Sequence, residues 1–282
     1  MLVTAKEMLL EAKQGKYAIG AFNVENMEMV MAVLAAAEAK NSPVIMQTTP
    51  GTIKYAGVGY YYANVAAAAA RSKVPVVMHL DHGDSFDRAM AAYRAGYTSI
   101  MIDGSKLSLE ENIALTKRVV DACHPGGVSV EGELGKVGGK EDDLDGGDDN
   151  PYTNPDEAKI FVEQTGVDYL AIGVGTAHGV YKGIPHVNTD LIATIRDLVD
   201  IPLVLHGTSG VPDDQVTTSV KNGICKVNYA TDLRIAFTRG VKEFMAANPE
   251  AFDPKKYCKQ GMAEVQKYVE QKIEVCGSAN KA

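Results

Sequence analysis

The chain has 282 residues, 46% of them hydrophobic and 23% charged, enough apolar material to bury a large core, which excludes a disordered chain and a small disulfide scaffold. A formal charge of −8 with no basic cluster argues against nucleic acid or an anionic membrane as the main partner and leaves a small polar metabolite open. The four cysteines (Cys123, Cys225, Cys258 and Cys276) form no CxxC pair, the first residues mix acidic and basic side chains, and no segment approaches the roughly 20 apolar residues of a membrane span. Free thiols and a cytoplasmic location are expected.

In chain order, the residues before 18 read as a capping helix. Apolar, β-branched bursts follow at 18–24, 43–49, 74–80, 99–103, 128–133, 168–175, 202–206 and 224–228, separated by amphipathic runs such as 27–40 and 112–123. This alternation is the pattern of a parallel sheet with crossover helices. Eight such units, in a chain slightly over the usual ~250 residues, fit an α/β fold of the (β/α)8 TIM-barrel type better than an open doubly wound sheet. Residues 254–276 add an extra C-terminal helix, and with no linker or repeat a single domain over 1–282 suffices. One stretch, 136–155, breaks the compact pattern with six carboxylates (Glu141, Asp142, Asp143, Asp145, Asp148, Asp149) and four glycines. It reads either as a functional lid or as a solvated insertion; the spacing after Asp143 does not match a calcium-binding hand.

In a barrel the chemistry sits where strands end and the following loops begin. The polar residues at those ends are Asn23, Asp81, His82, Asp103, Glu131, Glu133, His178, His206, Asn228, Thr231 and Asp232. Three of the six histidines, His82, His178 and His206, therefore point at one mouth, the donor set of a catalytic Zn²⁺ with an open position. His79 lies within its strand and reads as a core or supporting group, while His124 and His186 read as surface residues. Asp81 precedes a proposed ligand and either delivers a proton or orients the neighbouring imidazole. Asp103 and Glu133 read as acids that support the histidines or offer the metal a second position. The turns His206-Gly207-Thr208-Ser209-Gly210 and Asn228-Tyr229-Ala230-Thr231-Asp232 follow the last two strands, where barrels grip phosphate with amides and hydroxyls. A phosphorylated substrate is expected there. Gly173-Val174-Gly175-Thr176-Ala177-His178 lacks the last glycine of a dinucleotide loop, and neither a Walker lysine motif nor a G-x-S-x-G elbow occurs.

These residues fall in stretches that resemble the class II, zinc-dependent ketose-bisphosphate aldolases along the whole chain. The matching segments include Ala21-Phe22-Asn23, His79-Leu80-Asp81-His82, Met101-Ile102-Asp103-Gly104-Ser105, Val130-Glu131-Gly132-Glu133-Leu134-Gly135, Gly138-Gly139-Lys140-Glu141-Asp142-Asp143, Leu205-His206-Gly207-Thr208-Ser209-Gly210 and Lys226-Val227-Asn228-Tyr229-Ala230-Thr231. Thr49-Pro50-Gly51-Thr52, Gly175-Thr176-Ala177-His178-Gly179 and the Cys276-Gly277-Ser278-Ala279-Asn280 ending are most similar to the tagatose-bisphosphate branch, with fructose-bisphosphate aldolase as the near relative. Three positions depart from it. Gly83-Asp84 resembles the fructose-bisphosphate relatives, Gly132 replaces the usual alanine with a mild effect expected, and Lys106 stands where related chains often carry histidine.

The resemblance implies Zn²⁺ on His82, His178 and His206, Asp81 as the proton donor at the aldehyde oxygen, and Glu141 as the group that moves the proton at the ketose carbon. It implies that Gly179, Gly207, Thr208, Ser209, Asn228 and Thr231 hold the dihydroxyacetone-phosphate half, to which Asn23, Tyr229 and Ala230 at the same strand ends are added as candidates. It further implies Asp103 and Glu133 as supporting acids or the alternate metal position, a monovalent cation (Na⁺ or K⁺) near the phosphate, and a homodimer or homotetramer. Two competing hypotheses are a Schiff-base aldolase using Lys226 and a non-catalytic partner subunit or sugar-phosphate-binding barrel.

Overall fold

The computed structural model describes residues 1–141, 144–145, 152–181 and 183–282, with backbone only at 140, 141, 144 and 145. Its strands are β1 (Ile19–Asn23), β2 (Val44–Thr48), β3 (Val76–Gly83), β4 (Ser99–Ile102), β5 (Ser129–Leu134), β6 (Gly138–Glu141), β7 (Leu144–Asp145), β8 (Tyr169–Ile172), β9 (Ala177–His178), β10 (Leu203–Leu205) and β11 (Ile224–Tyr229). Its helices are α1 (Ala5–Gly15), α2 (Met27–Ala39), α3 (Pro50–Ala56), α4 (Val58–Ala69), α5 (Phe86–Ala95), α6 (Leu109–Cys123), α7 (Pro155–Thr165), α8 (Thr189–Leu198), α9 (Asp213–Asn222), α10 (Thr231–Ala247) and α11 (Pro254–Cys276). Eight strands close a parallel barrel in the order β1-β11-β10-β8-β5-β4-β3-β2. The eight apolar bursts are these eight strands, and α11 covers the residues expected for the extra C-terminal helix.

Local chemistry sets the helix boundaries. Asn26, Ser85 and Asn188 each accept a hydrogen bond from the backbone N–H three residues on, and Ser108 with Glu111 forms a reciprocal capping box at α6. Gly96, Gly166 and Gly277 take the left-handed conformation that ends α5, α7 and α11.

Strand alternation divides the barrel into two layers. One set of side chains, including Phe22, Met46, Met78, Ile100, Leu170 and Val227, packs outward against the helices. The other set fills the barrel interior, where Ile19, Ala21, Ile45, Val77, Tyr169, Ala171 and Val204 meet Ala5, Leu9 and Ala12 of α1, which plugs the N-terminal end as the expected capping helix. Each buried large apolar side chain contributes about 1.5–3 kcal/mol. Towards the C-terminal end the inward positions turn polar along each strand: Ile19, Ala21, then Asn23; Ile45, then Gln47; Val77, His79, then Asp81; Val204, then His206. The apolar floor anchors the strands and the polar rim above it carries the site.

One expectation changes and one gains a structural context. The stretch after β5 is not simply a loop: β6 pairs with β7 and, in parallel, with β9, where Gly138 meets Ala177 and Gly139 meets His178. At Gly132 the space an alanine methyl would fill holds the Phe161 ring, 2.8 Å from that position, so the exchange is coupled to how that ring packs.

Candidate active site

The rim of β3 shows how the sequence aims two neighbouring side chains at one place. Consecutive strand residues normally face opposite sides, so Asp81 inside would put His82 outside. The β3–β4 register breaks between Leu80 and Gly83, and His82 adopts a left-handed φ of 47°, which turns its ring into the mouth beside Asp81. Such a backbone costs about 1–3 kcal/mol in a residue with a side chain. Gly83 permits the turn, since a Cβ there would lie 2.4 Å from the Met101 carbonyl oxygen.

His82, His178 and His206 come together as the sequence reading required. Ring centroids lie 4.9 Å apart for His82–His178, 4.7 Å for His82–His206 and 6.1 Å for His178–His206, and one nitrogen from each falls within 4.8 Å of the other two. His82 Nε2 and His206 Nδ1 are buried without a hydrogen-bond partner, an expensive state unless something else binds them. Their other nitrogens are held by acids: His82 Nδ1 lies 2.9 Å from Asp103 Oδ2, and His206 Nε2 lies 2.9 Å from Glu131 Oε1. Carboxylates that fix ring orientation while the opposite nitrogen faces the mouth are the arrangement of imidazoles that ligate metal. Glu133 Oε2, 3.1 Å from His206 Nδ1, is also without a hydrogen-bond partner, and His82, Asp103 and Glu133 form a second group with ligand atoms within 4.8 Å. The residues therefore fit a divalent cation both in donor type and in charge.

Electrostatics follow from this crowding. Burial disfavours the cationic form of His206, but the hydrogen bond to Glu131 and the Glu133 carboxylate beside the ring lift its pKa to about 9. Burial opposes His82 likewise and Asp81, Asp103 and Glu133 outweigh it, raising it well above the usual imidazole value. For His178, burial and then the charges of His82 and His206 push it well below. Burial and the nearby Asp103 push Glu133 up.

Asp81 is clamped from both sides. Asn23 Nδ2 donates to its Oδ2 at 2.9 Å and Asn228 Nδ2 to its Oδ1 at 3.0 Å. Gln47 Nε2 orients Asn23 through its Oδ1 at 2.8 Å. Burial favours the neutral acid, yet the charges of His82, His206 and Lys226 hold this carboxyl well below the usual carboxylate range. Beneath the mouth, Lys226 Nζ lies 2.9 Å from Glu131 Oε2 and 2.8 Å from Asn228 Oδ1, fully buried. An amine locked into that ion pair does not stand free to form a Schiff base, so the metal alternative fits the geometry better. His79 is the supporting core group expected, with Nδ1 2.6 Å from Ser99 Oγ and Nε2 3.3 Å from Glu131.

Two spaces open from the histidines. One is a small cup lined by Asn23, His178, Gly179, Gly207, Thr208, Ser209, Asn228, Ala230 and Thr231, which gathers nearly all the substrate-binding candidates. Its walls are backbone and hydroxyls: Gly207 sits at φ 63° with the Ala177 backbone where a Cβ would be, Thr208 Oγ1 bonds the Asn228 carbonyl, and Ala230 has no side chain to cap α10. The start of α10, whose Ala230 and Asp232 N–H groups reach Ser209 Oγ, borders this cup, and a helix N-terminus suits an anion. The other is a cavity of about 280 Å³ on the β3–β5 side, lined by His82, Asp103, Glu133 and His178 together with Lys106 and Lys136.

Not every candidate joins the mouth. The Tyr229 side chain lies on the outward face, stacked 5.6 Å from Phe22 and 3.7 Å from Cys276 Sγ, so only its backbone reaches the strand end. Glu141 has its backbone in β6, two residues beyond the last pairing with β9, and its side chain lies outside the described residues. His186 and His124 are both exposed as expected, and His124 also bonds Asp168 at 2.9 Å. Sequence reasoning missed Gln47, and Tyr181, whose hydroxyl donates to Gly207 O and accepts from Ala177 N, tying the two loops together. Gln47 carried a signal, as the inward residue paired with Asn23; Tyr181, on an irregular loop, carried none.

The family model for class-II fructose-bisphosphate aldolase matches residues 3–281. Among solved structures the chain is similar to the YdjI aldolase of Escherichia coli K12, 37% identical over 100% of both chains with a TM-score of 0.90. It is also similar to the fructose-bisphosphate aldolase of Campylobacter jejuni, 27% identical over 100% of this chain and 97% of the other, with a TM-score of 0.84.

Proposed function

The chain belongs to the class-II fructose-bisphosphate aldolase family, a metal-dependent group of carbon–carbon lyases, and from that premise we propose that it cleaves a ketose 1,6-bisphosphate, tagatose 1,6-bisphosphate by preference, to dihydroxyacetone phosphate and glyceraldehyde 3-phosphate with Zn²⁺ on His82, His178 and His206. The observation that carries this reading is the pair of buried, unpartnered nitrogens, His82 Nε2 and His206 Nδ1, facing His178 beside an anion-suited cup. The tagatose preference rests on the Thr49–Thr52, Gly175–Gly179 and Cys276–Asn280 segments of the sequence. The fructose sugar is the second reading, favoured by Gly83-Asp84 and by the family's own description.

When bound, the divalent ion supplies a Lewis acid for the ketone oxygen, worth several kcal/mol of charge stabilisation. The rest is done by this chain's residues. The cup, with Gly179, Gly207, Thr208, Ser209 and Thr231, grips one phosphate and so places the carbons to be separated; remote binding energy of this kind raises turnover as well as affinity. Asp81, kept ionised and aimed by Asn23 and Asn228, takes the proton from the C4 hydroxyl as the C3–C4 bond breaks. The electron pair of that bond moves onto the three-carbon ketone half, and C4 leaves as the aldehyde. Glu141 then delivers a proton to C3, a role assigned from the family resemblance. Asp103 and Glu133 hold the imidazoles in orientation, or take the ion in its alternate position. A monovalent cation beside the phosphate and a cytoplasmic homodimer or homotetramer complete the proposal; among the described residues no helix is long and apolar enough to cross a membrane.

The test is one coupled assay of triose-phosphate release from tagatose and fructose 1,6-bisphosphates, with and without EDTA. Faster cleavage of the tagatose sugar, abolished by chelation and restored by zinc, is expected. Cleavage of neither sugar by zinc-loaded protein that still binds them would favour the non-catalytic subunit.

A further inference from the structure

The last helix, α11, packs outside the barrel, yet its side chains reach the two turns between which the cup is formed. One is the turn after β10, with Gly207, Thr208 and Ser209; the other follows β11 and starts α10, with Ala230 and Thr231. Hydrogen bonds join them: Ser209 Oγ accepts from the N–H groups of Ala230 at 3.4 Å and Asp232 at 3.3 Å, and Gly210 N donates to Asp232 Oδ2 at 3.1 Å. The same Asp232 oxygen accepts the Tyr268 hydroxyl of α11 at 2.8 Å. Tyr268 is itself fixed from two sides. Its ring meets Tyr229 edge-on with centroids 6.0 Å apart, and Lys272, one turn further along α11, stands 5.2 Å from its centroid while bonding Asp213 Oδ1 at 2.6 Å. Asp213 begins α9, so α11 holds the segment after β10 at its far end as well. A carboxylate that is only half-buried can swing out to water, and a charge-assisted bond from a hydroxyl on a packed ring prevents it.

We propose that Tyr268 is a positioning residue for phosphate binding: through Asp232 it holds Gly210 and the start of α10 at the spacing in which the cup accepts an anion. This rests on the reading of the cup as a phosphate site given above and adds to it a residue of α11 that lies outside the cup's lining.

The experiment is a double-mutant cycle on the zinc-loaded protein: native, Tyr268→Phe, Asp232→Ala and the two combined, each followed by the Kd for dihydroxyacetone phosphate, zinc content and a thermal melt. Tyr268→Phe keeps the ring that packs on Tyr229 and removes only the hydroxyl. It is expected to weaken dihydroxyacetone phosphate about three- to tenfold, the scale of one hydrogen bond, with zinc content unchanged. The combined variant should bind no more weakly than Asp232→Ala alone, because the tyrosine acts through that carboxylate. An unaltered Kd in Tyr268→Phe, with or without a lower melting temperature, makes the residue merely structural and overturns the proposal, as do losses that add in the combined variant or a loss of zinc that accompanies the weaker binding. Any of these leaves the aldolase reading intact if native protein cleaves the ketose bisphosphates. Native protein that does not bind dihydroxyacetone phosphate overturns both.

Discussion

The two ends of this barrel treat buried charge in opposite ways. At the floor, Asp168 has every oxygen satisfied: Lys6 lies 3.0 Å from Oδ1, while His124 at 2.9 Å and the Val130 N–H at 2.8 Å both reach Oδ2. At the rim, His82 Nε2 is equally buried without a hydrogen-bond partner, and His206 Nδ1 and Glu133 Oε2 face each other at 3.1 Å without a hydrogen bond to satisfy either. Burying a charge costs several kcal/mol unless pairing and hydrogen bonds offset it. The floor offsets that cost within the chain and so stiffens the fold; the rim leaves it standing, which makes sense only if something bound there completes the site. An aspartate in a closed network suits a structural role, and an imidazole with one nitrogen fixed and the other without a hydrogen bond suits a ligand.

The comparison breaks most visibly if function and stability do not separate between the two ends. His178→Ala should lose metal and lower kcat by about a thousandfold or more, the loss of a Lewis acid worth several kcal/mol, with the barrel still folded. Metal analysis with a thermal melt decides it, and full activity in a metal-free variant would remove the rim from the mechanism. Asp81→Ala sharpens the contrast within the rim: turnover should fall by about 10²–10⁴ while the metal stays bound. Unchanged turnover would reduce Asp81 to a positioning role. At the floor, Asp168→Ala should cost about 2–3 kcal/mol by denaturant unfolding, discounted because Lys6 and His124 are partly exposed, and leave kcat/KM unaltered. A large activity loss there would contradict the division. The smallest effect is expected for Gly132→Ala, about 1–2 kcal/mol from crowding Phe161, against no change if that ring repacks freely.

Much of this site was legible because strand period and barrel topology together assign a direction to each residue. Asn23, Asp81, Glu131, Glu133, His206 and Asn228 are inward residues at strand ends, and alternation alone sends them to one mouth. The same rule shows why Tyr229 departs: it follows inward Asn228 and must face outward, against Phe22. His82 is the reverse case, brought in by a left-handed residue and a register break that no hydrophobic pattern announces. Gln47 and Tyr181 escaped because each acts through a neighbour fixed by strand register or loop packing, not by sequence proximity. The pairing of β6 with the His178 segment was hidden for the same reason: a glycine-rich, acidic stretch carries no strand period. What Gly132 packs against was hidden too, because Phe161 fills a volume that composition does not show.

The central claim is that three imidazoles share a divalent ion on which cleavage depends. Zinc titrated into EDTA-stripped protein, with metal binding and ketose-bisphosphate cleavage followed together, tests it most directly. The account predicts no cleavage at the start and activity rising in proportion to bound zinc up to a single equivalent, with no rise in His82→Ala, His178→Ala or His206→Ala. Full cleavage by the stripped protein, or zinc restoring it equally in those variants, would contradict it.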